Sequence, residues 1–80
     1  MLKANELSAP FSCINKARDD EMLFVLLARD SCAPVAIRAW VEARILAGLN
    51  KRDDLKIIEA LQCADAMEIQ RQRGRLAALA

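Results

Sequence analysis

Histidine and tyrosine are both missing from this 80-residue chain. Their absence removes the commonest general acid/base, the commonest metal ligand and a frequent proton donor, so any catalysis would fall to cysteine, lysine or carboxylates. Glycine and proline number two each, and there are three valines against eleven leucines and fifteen alanines. That balance favours helix over strand. No long hydrophobic run exists: the longest wholly apolar stretch is residues 22–28, far short of the ~18 residues of a membrane span. A continuous apolar segment is also lacking after Lys3, which argues against a secretory signal and predicts a cytoplasmic protein. Nor is there an excess of either charge. Twelve basic and eleven acidic residues leave a net charge of +1, so no global field steers the molecule toward nucleic acid or an anionic membrane.

Cysteine is present but in a poor pattern for chemistry. Cys13, Cys32 and Cys63 form no CxxC pair, and without histidine they cannot complete a tetrahedral zinc site, so neither metal nor cofactor is expected. In a reducing compartment they read as small, mostly buried thiols.

The apolar residues make up 55% of the chain. Fifteen are alanines, which leave 26 bulky side chains of Leu, Ile, Val, Met, Phe and Trp. A single domain of this size has a core worth ~3–5 kcal/mol net. Punctuation along the chain predicts an all-α fold: a small bundle of three principal helices plus a short N-terminal helix or arm over residues 1–19, a helical core over 20–73 and a basic flexible tail over 74–80.

Ser8 is placed to cap a short helix that carries Pro10 in its first turn and ends near Arg18. Asp19, Asp20 and Glu21 then precede residues 22–29, where three carboxylates suit a helix N-terminus. Periodicity alone does not separate a buried helix from a buried strand in such a run. Helix is expected there because no second strand exists to pair with it.

The next helix is marked by Ser31 as cap, Pro34 in the first turn and Gly48 as a Schellman-type stop with Leu49 beyond. Ile37, Trp40, Val41 and Ile45 form its bulky face, with Trp40 expected as a core anchor. Ala36, Ala39, Ala43 and Ala47 form a second face, so the helix is expected to be central and covered on two sides.

Asn50 and Asp53 resemble a capping box opening a last helix over residues 51–72. Its main stripe is Ile57, Ala60, Leu61, Ala64 and Met67. A second stripe of Leu55, Ile58 and Ile69, with Gln62 between, lies roughly 100–120° round. One small core cannot use both. The second stripe either packs on the N-terminal segment through Phe11 and Ile14 or forms a surface for a protein partner or a second copy.

Other constellations weigh less. Residues 31–61 form two helices joined by a short turn, which raises a helix-turn-helix reader of nucleic acid using Lys51, Arg52 and the tail arginines Arg71, Arg73 and Arg75. Asp53 and Asp54 at the start of the second helix would repel phosphate. Cys32 near a helix start raises a reactive thiol, countered by Asp30 beside it. Adjacent carboxylates such as Asp19 with Asp20 point about 100° apart on a helix and do not converge on one atom. No catalytic site is expected.

The residues Phe24-Val25-Leu26-Leu27-Ala28-Arg29-Asp30, then Ala33-Pro34, Ile37 and Trp40, and later Ala60, Ala64 and Met67-Glu68, resemble the pattern of small uncharacterised proteobacterial proteins, some phage- or prophage-associated. The resemblance covers residues 22–70 and carries over no catalytic or binding residue. It implies a bacterial or phage accessory protein. The chain is therefore expected to be a non-catalytic interaction protein acting through Leu55, Ile58 and Ile69, with a nucleic-acid-associated regulator as the alternative.

Overall fold

In the computed structural model the described residues are 2–79, with side chains through Gly74. The chain is all-α, the described residues forming four helices in the order α1 (Lys3–Ser8), α2 (Cys13–Lys16), α3 (Ala33–Leu46) and α4 (Leu55–Leu79). α3 and α4 pack on each other, α1 packs on α2, and among the described residues no contact joins the two pairs of helices.

The α3–α4 pair holds the core. Ala33, Pro34 and Val41 of α3 are buried together with Ile57 and Ala64 of α4. α3 ends as the sequence predicts. Gly48 adopts a left-handed φ of 73°, its N–H donates to the carbonyl of Ile45, and the N–H of Leu49 donates to that of Arg44. These are the two bonds of a Schellman motif, which close carbonyls the helix cannot satisfy itself. Across the pair, Arg38 of α3 forks onto Asp65, at 2.7 Å, and onto Glu68. At the corner, Arg52 meets both oxygens of Glu42 at 3.1 and 3.0 Å.

Several boundaries differ from expectation, each for a local reason. No helix runs from Ser8 to Arg18. Pro10 restricts Ala9 to extended backbone (φ −78°, ψ 122°), so α1 stops at Ser8, and Ser12 rather than Ser8 caps α2 by accepting from Asn15 N. The side-chain amide of Asn15 then donates to the carbonyls of Glu6, Leu7 and Ala9. This small unit is held by polar bonds, since neither α1 nor α2 has a buried residue.

Residues 22–29 are not a helix. The acidic triplet that was expected to start one is partly used upstream: Glu21 folds back so that its carboxylate accepts from Arg18 N and its N–H donates to the Arg18 carbonyl. Residues 22–27 then continue without turn or bend until a turn at 28–29. A run that is apolar on every side gives a helix no solvated face, and the two-helix core offers it only one groove.

α3 is capped at Cys32 rather than Ser31, with the Cys32 N–H donated to the Asp30 carboxylate at 2.8 Å. α4 starts at Leu55 rather than Lys51, because Asp54 accepts from Lys51 N and from the Asn50 amide, closing a turn first. It also runs through Gly74 to Leu79, where a stop and a tail were expected. A single helical glycine costs only about 1 kcal/mol, and the alanine-rich stretch beyond it favours helix. Finally, α3 is covered on one side only. Ala36, Ala39, Ala43 and Ala47 are all exposed, so the predicted close approach of another helix to the alanine face is absent among the described residues.

The result is an open molecule. Its radius of gyration is 14.3 Å, where a compact 80-residue domain has about 12 Å. Its accessible surface is 6673 Å², where a compact monomer of 8.9 kDa has about 4,800 Å².

Candidate functional site

Many large apolar residues lie on that surface. In the open segment, Met22 is 96% and Phe24 88% exposed, and Leu23, Val25 and Leu27 are also exposed. The backbone N–H and C=O groups of residues 22–26 make no hydrogen bond to any described residue. An extended chain in this state presents both a row of unpaired polar groups and alternating apolar side chains.

Among the described residues three hollows flank the segment, one of them, of about 330 Å³, where Met22 and Leu23 meet Cys13, Lys16 and Ala17. Phe24 and Leu26 border another of about 450 Å³ whose other walls include Ile37 and Trp40 of α3 and Ala60 of α4. Leu23 and Val25 join Cys13 and Ile14 of α2 around a smaller one of about 250 Å³, which Phe24 and Leu26 also touch. Trp40 is thus a wall of an open groove, 39% exposed, rather than the core anchor expected from its place on the bulky face. Two cations lie over its ring, the Arg44 guanidinium at 5.6 Å and the Lys56 ammonium at 5.9 Å from the centroid. Such contacts replace some of the burial an indole obtains in a closed core.

The second stripe of α4 is uncovered, with Leu55, Ile58 and Ile69 all exposed. Phe11 and Ile14 do not cover it: Phe11 is itself 82% exposed and α2 makes no contact with α4. Of the two uses foreseen for this stripe, packing on the N-terminal segment is therefore absent.

The basic residues do not converge. Arg52 is spent on Glu42, and the backbone of Lys51 is tied to the carboxylate of Asp54. Arg71 is half-buried and Arg73 exposed, roughly 24–27 Å along α4 from its start at the helical rise per residue. Arg75 lies outside the residues whose side chains are described.

Two ionisable groups are shifted. The hydrogen bonds it donates to the carboxylates of Glu68, then Asp65, push the Arg38 guanidinium above its ordinary value. The Lys51 N–H, followed by the Asn50 amide, holds the Asp54 carboxyl below its ordinary value. Both serve the α3–α4 corner and clamp rather than a reactive centre. Cys13 and Cys32 are exposed and Cys63 half-buried, contrary to the expectation of mostly buried thiols, because the elements carrying the first two are left without cover.

Sequence reasoning overlooked the groove beside Phe24, Leu26 and Trp40. The signal was the apolar run itself, which has no polar face in either helical or strand projection. Glu68 meets Arg38 from thirty residues earlier, a pairing that spacing along the chain does not reveal.

No family model matches the chain, and neither a curated protein nor a solved structure is detectably similar to it.

Proposed function

We propose that this chain is a non-catalytic interaction protein whose apolar surface is covered by association. The observation that carries the reading is the accessible surface, about 1,900 Å² larger than a compact monomer of this mass would have. A stable protein interface takes about 800 Å² from each partner, so the surplus is large enough to supply one. The surfaces available are the open segment 22–27 with its groove, and the α4 face of Leu55, Ile58 and Ile69. An accessory role in a bacterium or phage, as the resemblance implies, suits a protein that acts by contact.

A photoreactive amino acid placed at Phe24, at Ile58 and at the exposed control Glu59, in cells that make the protein, tests this reading. Discrete adducts are expected at Phe24 or Ile58 and not at Glu59. Absence of adducts at both apolar positions, in a chain that remains folded, would overturn it.

A further inference from the structure

We propose that the open segment 22–27 is a pairing strand, and that its partner is the same segment of a second copy, joined antiparallel about a two-fold axis. The inference rests on the contact reading above and names the partner and the bonds.

The first argument is the backbone. Residues 22–27 are non-helical and free of turn or bend, contain neither proline nor glycine, and leave the N–H and C=O groups of 22–26 without partners among the described residues. Strand addition satisfies such groups with main-chain bonds and takes specificity from alternate side chains. The second argument is charge. The segment is uncharged but enters from Asp19, Asp20 and Glu21 and leaves through Arg29. Arg29 is exposed and has no ion-pair partner among the described residues. A parallel pair would set acidic triplet against acidic triplet. An antiparallel pair with Val25 opposite Val25 of the second copy brings the end carrying Glu21 in each copy beside the end carrying Arg29, in the turn at 28–29, of the other, twice by symmetry. A second copy running in reverse answers both ends at once without any new sequence.

The third argument is side-chain placement. In this register Phe24 lies opposite Leu26 of the second copy, and strand alternation puts Phe24 and Leu26 on one face of the ribbon. Those two residues already border the Trp40 groove, so the ribbon would cover both grooves. Two strands alone are marginal in water, and the grooves supply the apolar backing that such a ribbon needs.

Sedimentation of the full-length purified chain over a range of concentrations tests the proposal, with helical circular dichroism as the check on folding. A reversible species of twice 8.9 kDa is expected. Arg29→Glu should weaken it by roughly tenfold, since each substitution acts at two symmetric contacts, and Glu21→Arg combined with Arg29→Glu should restore it. Phe24→Pro or Val25→Pro should abolish it while α3 and α4 stay folded, because in an antiparallel pair one of two neighbouring N–H groups points at the partner.

Position-specific crosslinking fixes the register. With Cys13, Cys32 and Cys63 changed to Ser, Val25→Cys should oxidise to a covalent dimer, since residue 25 meets its own copy within disulfide reach. Met22→Cys should not, its two copies being on the order of 20 Å apart. A strict monomer at every concentration would overturn self-pairing and leave the contact reading to the crosslinking in cells. A dimer indifferent to Arg29→Glu and to both prolines would overturn the strand while leaving association itself standing on another face.

Discussion

Ile57 is among the largest fully buried side chains, at 0% exposure in the first turn of α4, and Ile57→Ala measures how much of the fold depends on the α3–α4 contact. The substitution removes three carbons from a dry site. At ~0.8 kcal/mol per buried methylene the transfer loss is about 2.4 kcal/mol, and whatever cavity the helices do not close adds to it, for a total of roughly 2.5–4 kcal/mol. The whole domain has only about 3–5 kcal/mol to lose. Ile57→Ala should therefore sit at or beyond the edge of unfolding at 25 °C, while Ile57→Val, one carbon smaller, should lose about 0.5–1.5 kcal/mol.

Leu46 supplies the control. It is as apolar as Ile57 and lies at the end of α3, but it is 91% exposed, and Leu46→Ala should stay within about 0.5 kcal/mol of the parent. Urea unfolding followed by helical circular dichroism reads all three variants. Protein concentration must be held constant, because association shifts the apparent midpoint. A loss below about 1 kcal/mol for Ile57→Ala, or equal losses for Leu46→Ala and Ile57→Ala, would refute the view that one small helix-pair core holds the fold.

At Gly48 the backbone, not crowding, is the constraint: φ is +73° and an added methyl would meet nothing within 4 Å. Gly48→Ala should cost on the order of 1 kcal/mol, whereas D-alanine placed there by chemical synthesis should cost nothing, and equal losses for both would contradict the assignment. The lowered pKa of Asp54 implies stability that is complete above the ordinary carboxylate value of 3.8 and is lost as pH falls from there through the lower folded value. Asp54→Asn should flatten that part of the acid limb when urea midpoints are compared between about pH 5 and pH 2; an unchanged limb would place the titrating group elsewhere.

The parts of this fold that were legible in the sequence are those fixed by local bonds or by a clean 3.6-residue pattern. Pro34 and Gly48 bracket α3 because one needs no N–H and the other tolerates positive φ, and these are properties of single residues. Ile57, Ala60, Leu61, Ala64 and Met67 were legible as the packed side of α4, and all five are buried or half-buried. Helix starts were less legible, since Asn50, Asp53 and Asp54 all carry capping side chains. The choice was decided by Arg44, which takes the Asn50 oxygen from α3 at 2.7 Å, a contact that spacing does not reveal. Trp40 was misplaced for a related reason. Its helical face was read correctly, but the cover that would have buried it was assumed to be another helix.

The ambiguity of residues 22–27 in the sequence and their openness in the fold have one physical cause. A helix satisfies its own backbone and asks the rest of the molecule only for a surface on which to lay one apolar stripe. A strand asks for a neighbouring backbone. Met22, Leu23, Phe24, Val25, Leu26 and Leu27 have no polar member to define a stripe, and the 80 residues contain no second run of this kind, so neither demand is met within one chain. The chain leaves the run without turn or bend, with the polar groups of 22–26 unpaired among the described residues and its flanking charges, Glu21 and Arg29, at opposite ends. A second copy meets the strand's demand without any new sequence, since an antiparallel two-fold needs only one self-complementary segment. The same reasoning separates this segment from the stripe of Leu55, Ile58 and Ile69, which sits on a helix with its backbone already satisfied. Losing Ile58 to Asp should therefore remove apolar contact area alone, whereas a proline at Phe24 or Val25 should remove the bonds that dictate which partner is accepted.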